Sequence, residues 1–299
     1  LARHSRDPTH LTVKQRDIVL ALGGGGARGI AHVGVIRTLE ENGFRIRGVA
    51  GTSIGSVIGG LYCAGKLPEY EQFLSQLDVG SIVRLLDLRL PTRGLMGGRR
   101  IESLLRRISN SRRIEELEIP FISVTTELTE GLEVRLTEGD LAQAMRASYA
   151  IPGFFTPVLI DGKWLVDGGV STPVPVIAAQ SLGLYPVLAV NVNSSGQPAV
   201  AKAFEALMPS PEEARTPSEP KLLSTLSDSI AHLQFHLASY QLKAHPADYV
   251  LTPALRGVGL FDFQRGDELI DAGRYVAEAA LHSGELQLAI DEAARRLED

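Results

Sequence analysis

Cysteine is nearly absent from this sequence of 299 residues, in which Cys63 is the single example. One cysteine excludes an intrachain disulfide and a cysteine-based zinc site, so we expect a reducing compartment, with the cytoplasm as the default. The chain also lacks any apolar run approaching the ~18 residues that a membrane-spanning helix requires. Positive charge is not in excess, because the sequence has 30 Lys and Arg residues and 35 Asp and Glu residues. This balance argues against a protein built to wrap nucleic acid.

What the chain does contain is a large apolar fraction arranged as alternating strands and helices. Hydrophobic residues make up 44% of the sequence, enough to bury a sizeable core. Residues 18–22 form a short apolar run before four glycines, which is typical of a buried parallel strand. An apolar helical repeat follows, then a second apolar run at 46–50, with further strand candidates at 120–125 and 187–192. This alternation predicts an α/β fold with a mainly parallel sheet.

The segments outside this alternation set the predicted domain limits. Residues 1–17 lack strand or helix periodicity and are interpreted as a flexible N-terminal tail, which leaves one domain over 18–299. Five prolines between 196 and 220 predict a long mobile loop, either a lid or a plain connection. Beyond it, spacings of three and four predict a long helix whose apolar seam packs on the core, formed by Leu223, Leu226, Ile230, Leu233, Leu237 and Tyr240. A last helix places Leu286, Ile290, Ala293 and Leu297 on one face.

Ser53 stands between two glycines, directly after a predicted strand and before a predicted helix. This is the context of a nucleophile elbow, in which a strained turn presents the serine hydroxyl at a helix N-terminus. The flanking Gly51 and Gly55 leave no Cβ atoms to obstruct such a turn. The alternative is a glycine-rich turn whose serine only caps the helix.

The loop between the first predicted strand and helix is rich in glycine and contains Gly24, Gly25, Gly26, Ala27, Arg28 and Gly29. A Walker phosphate loop would require Lys and then Ser or Thr after its last glycine, and the sequence has neither there. A dinucleotide fingerprint fits the glycine spacing but requires an acid at the end of the second strand, where the serine turn lies instead. An oxyanion hole fits better, because backbone N–H groups near a helix N-terminus stabilise the negative charge of an acyl-transfer intermediate. A turn in which the glycines serve only packing is the remaining alternative.

No base for this serine is evident among the seven histidines. His32 lies in the helix after the glycine loop, where a buried, hydrogen-bonded core histidine is the commoner explanation. The acid that stands out is Asp167, which follows a short apolar strand and precedes Gly168 and Gly169. Taken alone, such a pattern arises more often from an ordinary turn aspartate than from a catalytic one.

Taken in order, three motifs resemble those of the patatin-like phospholipases: Gly24-x-Gly26-x-x-Gly29, Gly51-x-Ser53-x-Gly55 and Asp167-Gly168-Gly169. The resemblance is to bacterial members near the neuropathy target esterase branch, over about residues 18–281. It implies a three-layer patatin-like fold, with a central mainly parallel sheet flanked by helices. It also implies hydrolysis of a lipid or lysophospholipid by a Ser53-Asp167 dyad without histidine, with the glycine loop as oxyanion hole. Neither a metal nor an organic cofactor is implied.

Two other enzyme classes and one class of non-enzyme stay open. An acyltransferase of the malonyl-transacylase type also has a serine elbow in an α/β fold, but it pairs the serine with histidine. An α/β-hydrolase triad is a further option, because several histidines follow Asp167 in the required chain order, namely His232, His236, His245 and His282. The non-enzyme alternative is a nucleotide-binding or scaffolding module that retains the glycine loop.

A segment of unusual charge lies between Arg84 and Arg113. It contains nine arginines and only two acidic residues, and large apolar residues from Ile82 to Met96 are interleaved with the arginines. We therefore expect the segment to flank the mouth of the active site and to dock it on anionic lipid, which would place the protein at the membrane surface. The alternative is that the apolar residues belong to the core and the arginines pair with acids elsewhere.

Overall fold

The computed structural model describes residues 16–77, 80–81, 96–193 and 222–298, and these build an eight-stranded sheet. The strands are β1 (Arg16–Leu22), β2 (Phe44–Thr52), β3 (Phe121–Glu127), β4 (Glu133–Leu136), β5 (Val158–Ile160), β6 (Lys163–Asp167), β7 (Val187–Val190) and β8 (Tyr249–Leu251). Neighbouring strands among β1, β2, β3, β7 and β8 are paired in parallel, whereas β4 and β6 run antiparallel to β3, and β5 runs antiparallel to β6. The predicted α/β class with a mainly parallel central sheet is therefore confirmed.

Helices cover both faces of this sheet, because alternate residues of each central strand point to opposite sides. In β1, Ile18, Leu20 and Leu22 belong to one apolar core, and Val19 and Ala21 belong to the other. The helices of the described residues are α1 (Ala31–Glu41), α2 (Ile54–Cys63), α3 (Leu67–Leu74), α4 (Arg99–Ile108), α5 (Leu141–Ser148), α6 (Val176–Gln180), α7 (Leu222–Ala244), α8 (Gly266–His282) and α9 (Glu285–Glu298). All but α6 and α7 contribute buried residues to the first core, and this gives three layers.

Strands β2 and β6 meet end to end beside β3. Thr52, the last residue of β2, lies opposite Val124, and Asp167, the last residue of β6, lies opposite the next residue, Thr125. Because β4 pairs with these same positions of β3 from the other edge, β2 and β6 share one edge. The chain after each strand end therefore leaves the sheet at the same place.

Two predicted boundaries shift in the structure. Strand β1 begins at Arg16, two residues before the predicted domain start, and an ion pair joins Asp17 to Arg45 of β2. The predicted helix after the glycine loop is preceded by a short 3₁₀ turn, Gly26–Ile30. The predicted tail, apart from its last two residues, and the predicted loop at 196–220 lie outside the described residues.

The prediction for the seam of α7 is partly wrong. Leu226 and Ile230 pack against the core as expected, but Leu233 and Tyr240 are 69% and 70% exposed. The buried positions in this part of the helix are Gln234 and Ala238, because α7 packs against the first core near its start and against the second core further along. In α9, Leu286, Ile290 and Ala293 are buried as predicted, and Leu297 is 39% exposed near the helix end. No helix of the described residues is both long and apolar enough to cross a bilayer.

Candidate active site

Ser53 occupies the predicted turn between β2 and α2, with φ of 56° and ψ of −121°. A side-chain-bearing residue rarely adopts this conformation, and such strain concentrates at functional sites. The two glycines of the motif are required by close backbone approach: a Cβ atom on Gly55 would lie 2.2 Å from the Leu22 carbonyl oxygen, and one on Gly51 would lie 2.3 Å from that of Gly55. The structure thus has the strand, strained turn and helix that the motif predicts.

Asp167 lies directly beside this serine. The Ser53 hydroxyl donates a hydrogen bond of 2.6 Å to Oδ2 of Asp167, and the Gly169 amide donates one of 2.7 Å to Oδ1. The contact follows from the end-to-end meeting of β2 and β6, which brings together residues 114 positions apart. Gly168 is held close to the sheet, since a Cβ atom there would lie 2.3 Å from the Val124 carbonyl oxygen.

Burial changes the acidity of this carboxyl group. Asp167 is 1% exposed, and the loss of water around its charged form raises its pKa from the ordinary value of 3.8 to about 6. The hydrogen bonds from Ser53 and Gly169 act in the opposite direction, but burial is the larger effect. Asp167 is therefore a stronger base than an exposed aspartate and is still mostly ionised at neutral pH.

The glycine loop packs against the serine turn. A Cβ atom on Gly24 would lie 3.1 Å from the Cβ atom of Ser53. Within the described part of the chain, the amides of Gly25 and Gly26 have no hydrogen-bond acceptor. Gly26 has a left-handed φ of 60° and starts the 3₁₀ turn that leads into α1. Two N–H groups of the loop therefore remain for an anion, and Gly26 lines the same cavity as Ser53.

The other residues of this loop have different contacts. The Ala27 amide donates to the Leu260 carbonyl at 2.9 Å, so it is already occupied. Arg28 Nε donates to the Gly25 carbonyl at 3.1 Å and holds the turn from within. Gly29 allows close packing, because a Cβ atom there would lie 2.0 Å from Ile54.

Two side chains bind the carbonyl groups of the same loop. His32 is completely buried, as predicted, and its Nε2 lies 2.8 Å from the Gly23 carbonyl oxygen. Asn193, which the sequence analysis missed, donates from Nδ2 to the Gly24 carbonyl at 2.6 Å. Its only sequence signal is its place shortly after the strand candidate 187–192. These two hydrogen bonds hold the carbonyl groups of Gly23 and Gly24, and with them the start of the loop, in place.

Ser148 is a second residue whose role the sequence analysis missed. It accepts a hydrogen bond of 2.8 Å from the Ser53 amide. The amide of the candidate nucleophile is therefore already paired.

The described residues place no histidine in hydrogen-bonding contact with Ser53 or Asp167. His232, His236 and His245 are exposed on or next to α7, and His282 Nδ1 lies 2.8 Å from a backbone carbonyl one turn earlier in α8. The geometry therefore gives the α/β-hydrolase alternative no support from these residues.

An almost wholly apolar cavity opens at Ser53 and Gly26. Its walls come from α2, α3 and α4, the segment after α5, and the turn before α8, through Val57, Tyr70, Phe73, Leu74, Leu77, Ile101, Leu104, Leu105, Tyr149, Ile151, Phe155, Leu260, Phe261 and Phe263. Such a cavity suits a hydrocarbon chain.

Among the described residues of the arginine-rich segment, apolar residues of α4 line this cavity, whereas Met96 does not take the expected place at a lipid-facing surface. Helix α4 contributes apolar residues to the wall and exposes Arg99 and Arg107 to solvent. Met96, however, is 4% exposed and bridged to Phe155, so it belongs to the core and not to an inserting surface. Arg106 is paired with Glu102 and Asp140, and Arg113 is paired with Glu115. Arg84, Arg89 and Arg93 lie outside the described residues.

Comparison with known proteins gives concordant matches. A family model described as Patatin-like phospholipase matches residues 20–179. An uncharacterized NTE family protein of Mycobacterium tuberculosis is 41% identical over 178 residues, which make up 60% of this chain and 49% of that protein. The human patatin-like phospholipase domain-containing protein 6 is 28% identical over 278 residues, 88% of this chain and 20% of that protein. The chain thus spans about half the length of the first relative and about a fifth of the second.

Among solved structures, VipD from Legionella pneumophila has a TM-score of 0.50 to this chain at 14% identity. The match covers 90% of this chain and 67% of that one. At this identity the likeness concerns the fold alone.

Proposed function

The chain belongs to the patatin-like phospholipase family, and on this premise we propose that it is a serine hydrolase of lipid acyl esters, of the phospholipase A or lysophospholipase type. The observation that carries the proposal is the 2.6 Å hydrogen bond from the Ser53 hydroxyl to the buried Asp167 carboxylate at the end of an apolar cavity. A nucleophile, an adjacent base and a site for a hydrocarbon chain are the elements that lipid ester hydrolysis requires.

In the first step, Ser53 Oγ attacks the ester carbonyl carbon while its proton passes to Asp167 Oδ2. The tetrahedral intermediate then collapses, the bond to the alcohol oxygen breaks, and Asp167 returns the proton to that leaving oxygen. The products are an acyl ester of Ser53 and a free alcohol, which for a lipid is the headgroup-bearing part. Because the hydrogen bond already exists in the free protein, the proton transfer needs no rearrangement of these two side chains.

In this proposal, the amides of Gly25 and Gly26 donate hydrogen bonds to the negatively charged carbonyl oxygen of the intermediate. Both amides lack an acceptor among the described residues, and Gly26 lines the same cavity as Ser53. The Ser53 amide is not a candidate donor, because Ser148 already accepts its hydrogen bond. Loss of one such donor typically costs about a hundredfold or more in rate.

The second step releases the acyl chain. Asp167 takes a proton from a water molecule, the oxygen attacks the acyl carbon, and the bond to Ser53 Oγ breaks as the proton returns to it. The fatty acid leaves and the starting state is restored. A single buried carboxyl group thus serves as base in both halves of the reaction.

We further propose that helix α4 docks the mouth of the cavity on anionic lipid. Ile101, Leu104 and Leu105 line the cavity, whereas Arg99 and Arg107 are exposed on the same helix. Each arginine near an anionic bilayer contributes about 1 kcal/mol of attraction. A substrate that resides in a membrane would then enter from the side at which the protein is held.

Covalent labelling tests the assignment of the nucleophile. A fluorophosphonate reacts only with an activated serine, so we expect one adduct, on Ser53 by peptide mass spectrometry, and none in Ser53→Ala. The matched control is Ser56→Ala, which should leave labelling intact. It removes a buried hydroxyl in the first turn of α2 that lies 2.8 Å from the Ser123 hydroxyl. An adduct on a different residue, or ester turnover by Ser53→Ala at the wild-type rate, would refute the proposal.

Product analysis separates hydrolysis from acyl transfer. Incubation with total membrane lipid should release free fatty acid with the wild-type protein and none with Ser53→Ala. Acyl chains that appear only on an added alcohol or thiol acceptor would favour a transacylase instead. The lipid class that is depleted in the wild-type incubation identifies the substrate.

A further inference from the structure

The short segment that follows α5 contacts both members of the Ser53-Asp167 pair through their backbones. Ser148, the last residue of α5, accepts the hydrogen bond from the Ser53 amide at 2.8 Å. Two residues later, the Ala150 carbonyl accepts a hydrogen bond from the Asp167 amide at 3.0 Å. Residues 148–150 are therefore tied to the nucleophile at one end and to the base at the other.

The Ser148 hydroxyl is itself fixed in direction. It is completely buried and donates its single proton to the Val124 carbonyl at 2.6 Å, which leaves an oxygen lone pair for the Ser53 amide. Val124 lies opposite Thr52, the residue just before Ser53. Ser148 thus links β3 to the serine turn at the point where β2 ends.

The serine turn requires such a link. Ser53 has a φ of 56°, a strained value that persists only where the surroundings hold it. A buried amide without an acceptor would in addition pay the full desolvation penalty. The Ser148 hydroxyl removes that penalty and holds the amide in place.

We propose that Ser148 is a positioning residue, and that residues 148–150 set the distance between the Ser53 hydroxyl and the Asp167 carboxylate. The inference rests on the proposed function, in that it takes Ser53 as the nucleophile and Asp167 as its base. Ser148 acts through the Ser53 backbone and takes no proton from the substrate. Its removal should therefore impair chemistry more than substrate binding.

The test is Ser148→Ala, measured on a water-soluble p-nitrophenyl ester. Because misplacement of a reacting group by about 1 Å can cost a hundredfold, we expect kcat to fall roughly 10- to 100-fold with KM changed less than about twofold. Fluorophosphonate labelling of Ser53 should slow by a similar factor. Both changes follow from a displaced nucleophile.

The pH profile adds a readout that a purely structural defect would not move. The hydrogen bond from Ser53 lowers the pKa of Asp167, whereas burial raises it. Among the described residues, no charged side chain contributes to this pKa. Weakening of the Ser53 contact should therefore shift the acid limb of kcat/KM to higher pH in Ser148→Ala.

Two further variants control for loss of folding. Ser148→Cys keeps a weak donor and acceptor at the same place, and Ser148→Thr keeps the hydroxyl; at least one of them should restore kcat to within about fivefold of wild type. Ser56→Ala removes a comparable buried hydroxyl without contact to the Ser53 amide and should keep the wild-type kcat. Circular dichroism and the thermal midpoint establish which variants are folded.

The inference is overturned if folded Ser148→Ala keeps the wild-type kcat and acid limb, or if Ser56→Ala loses as much activity as Ser148→Ala. It is also overturned if KM rises while kcat stays unchanged. Failure of the proposed function looks different, because wild-type protein would then show no adduct on Ser53 and no dependence on that residue.

Discussion

Asp167→Asn should inactivate the protein and at the same time make the folded state more stable at alkaline pH. Both effects come from one observation, the burial of a carboxyl group that must carry a charge in order to act as a base. Asparagine keeps the shape of the side chain and an oxygen for the Gly169 amide. It has no ionisable group, so neither the catalytic proton transfer nor the cost of a buried charge remains.

The size of the stability effect follows from the pKa of Asp167. Burial raises this pKa from 3.8 to about 6, a difference of about two pH units, and each unit corresponds to about 1.4 kcal/mol. Since the folded state binds the proton more tightly than the unfolded state, the proton's contribution to stability is complete below about pH 4. It is lost as the pH rises through 6. At pH 8 the buried charge therefore costs about 3 kcal/mol, which Asp167→Asn avoids.

The activity has the opposite dependence on protonation. Only the ionised carboxylate accepts the Ser53 proton, so kcat/KM of the wild type should fall about tenfold for each pH unit below about 6. At pH 8 the Asn variant should lose roughly 10²- to 10⁴-fold in kcat, the usual contribution of a general base.

Two measurements check this prediction: kcat/KM on a water-soluble ester from pH 4.5 to 9, and urea unfolding of both proteins at pH 8 and near pH 4. Ser53→Ala is the matched control, because it is inactive but keeps the buried carboxylate and should gain no stability at pH 8. An acid limb near pH 4, or an Asn variant less stable than wild type at pH 8, would show that burial does not govern the pKa of Asp167.

Three shorter predictions concern the loop, the core histidine and the basic helix. Gly26→Ala should lower kcat about a hundredfold with little change in KM. The reason is that a Cβ atom would meet the Leu260 carbonyl oxygen at 2.4 Å and displace the loop amides. A raised KM with unchanged kcat would argue for a binding role. Folded His32→Asn should retain activity within about tenfold of wild type. Burial lowers the pKa of His32 to about 4, and the hydrogen bond of its ring is to the Gly23 carbonyl rather than to Ser53 or Asp167. A loss of several orders of magnitude would indicate a triad. Arg99→Glu with Arg107→Glu should reduce salt-sensitive sedimentation with phosphatidylglycerol vesicles. Arg295→Glu is the control and should not reduce it, because Arg295 lies near Arg16 at the start of β1, at the opposite end of the sheet from Ser53. Binding that is insensitive to salt or to the α4 substitutions would refute docking through α4.

Local sequence was sufficient to predict the strand, helix and loop that form the site, but not to predict how they come together. The strand before Ser53, the helix after it and the glycine loop upstream all follow from apolar spacing and from glycines at positions that tolerate no Cβ atom. The pairing of Ser53 with Asp167 depends on two strands meeting at one edge of β3. Nothing in the spacing of residues 52 and 167 encodes that register, and only resemblance to a family suggested it.

The error on α7 has a related cause. Its leucines and Tyr240 repeat at helical spacing, and this predicts a single buried seam. The helix instead crosses from one core to the other, so that its buried face changes along its length, with Leu226 packed at one end and Ala238 at the other. A single seam requires one partner surface along the whole helix, and two separate cores do not provide one.

Ser148 and Asn193 were missed because their contacts are to backbone groups. Each binds an amide or carbonyl of the serine turn or glycine loop, at 2.8 Å and 2.6 Å. Buried polar side chains are mostly hydrogen-bonded in this way, and the partner is set by the fold rather than by a neighbouring motif. A sequence therefore shows the reacting groups more readily than the residues that hold them.

In the proposed mechanism, the end-to-end arrangement of β2 and β6 allows an acid to act without histidine. In a serine triad the imidazole stands between serine and carboxylate and supplies a pKa near neutrality. Here the 2.6 Å contact between Ser53 and Asp167 leaves no room for a ring between them. The base strength must come from the environment of the carboxyl group itself, and burial supplies it by removing water, which raises the pKa of Asp167 to about 6. In the proposed mechanism, the strand geometry that brings the two residues together therefore also gives Asp167 the base strength that it requires.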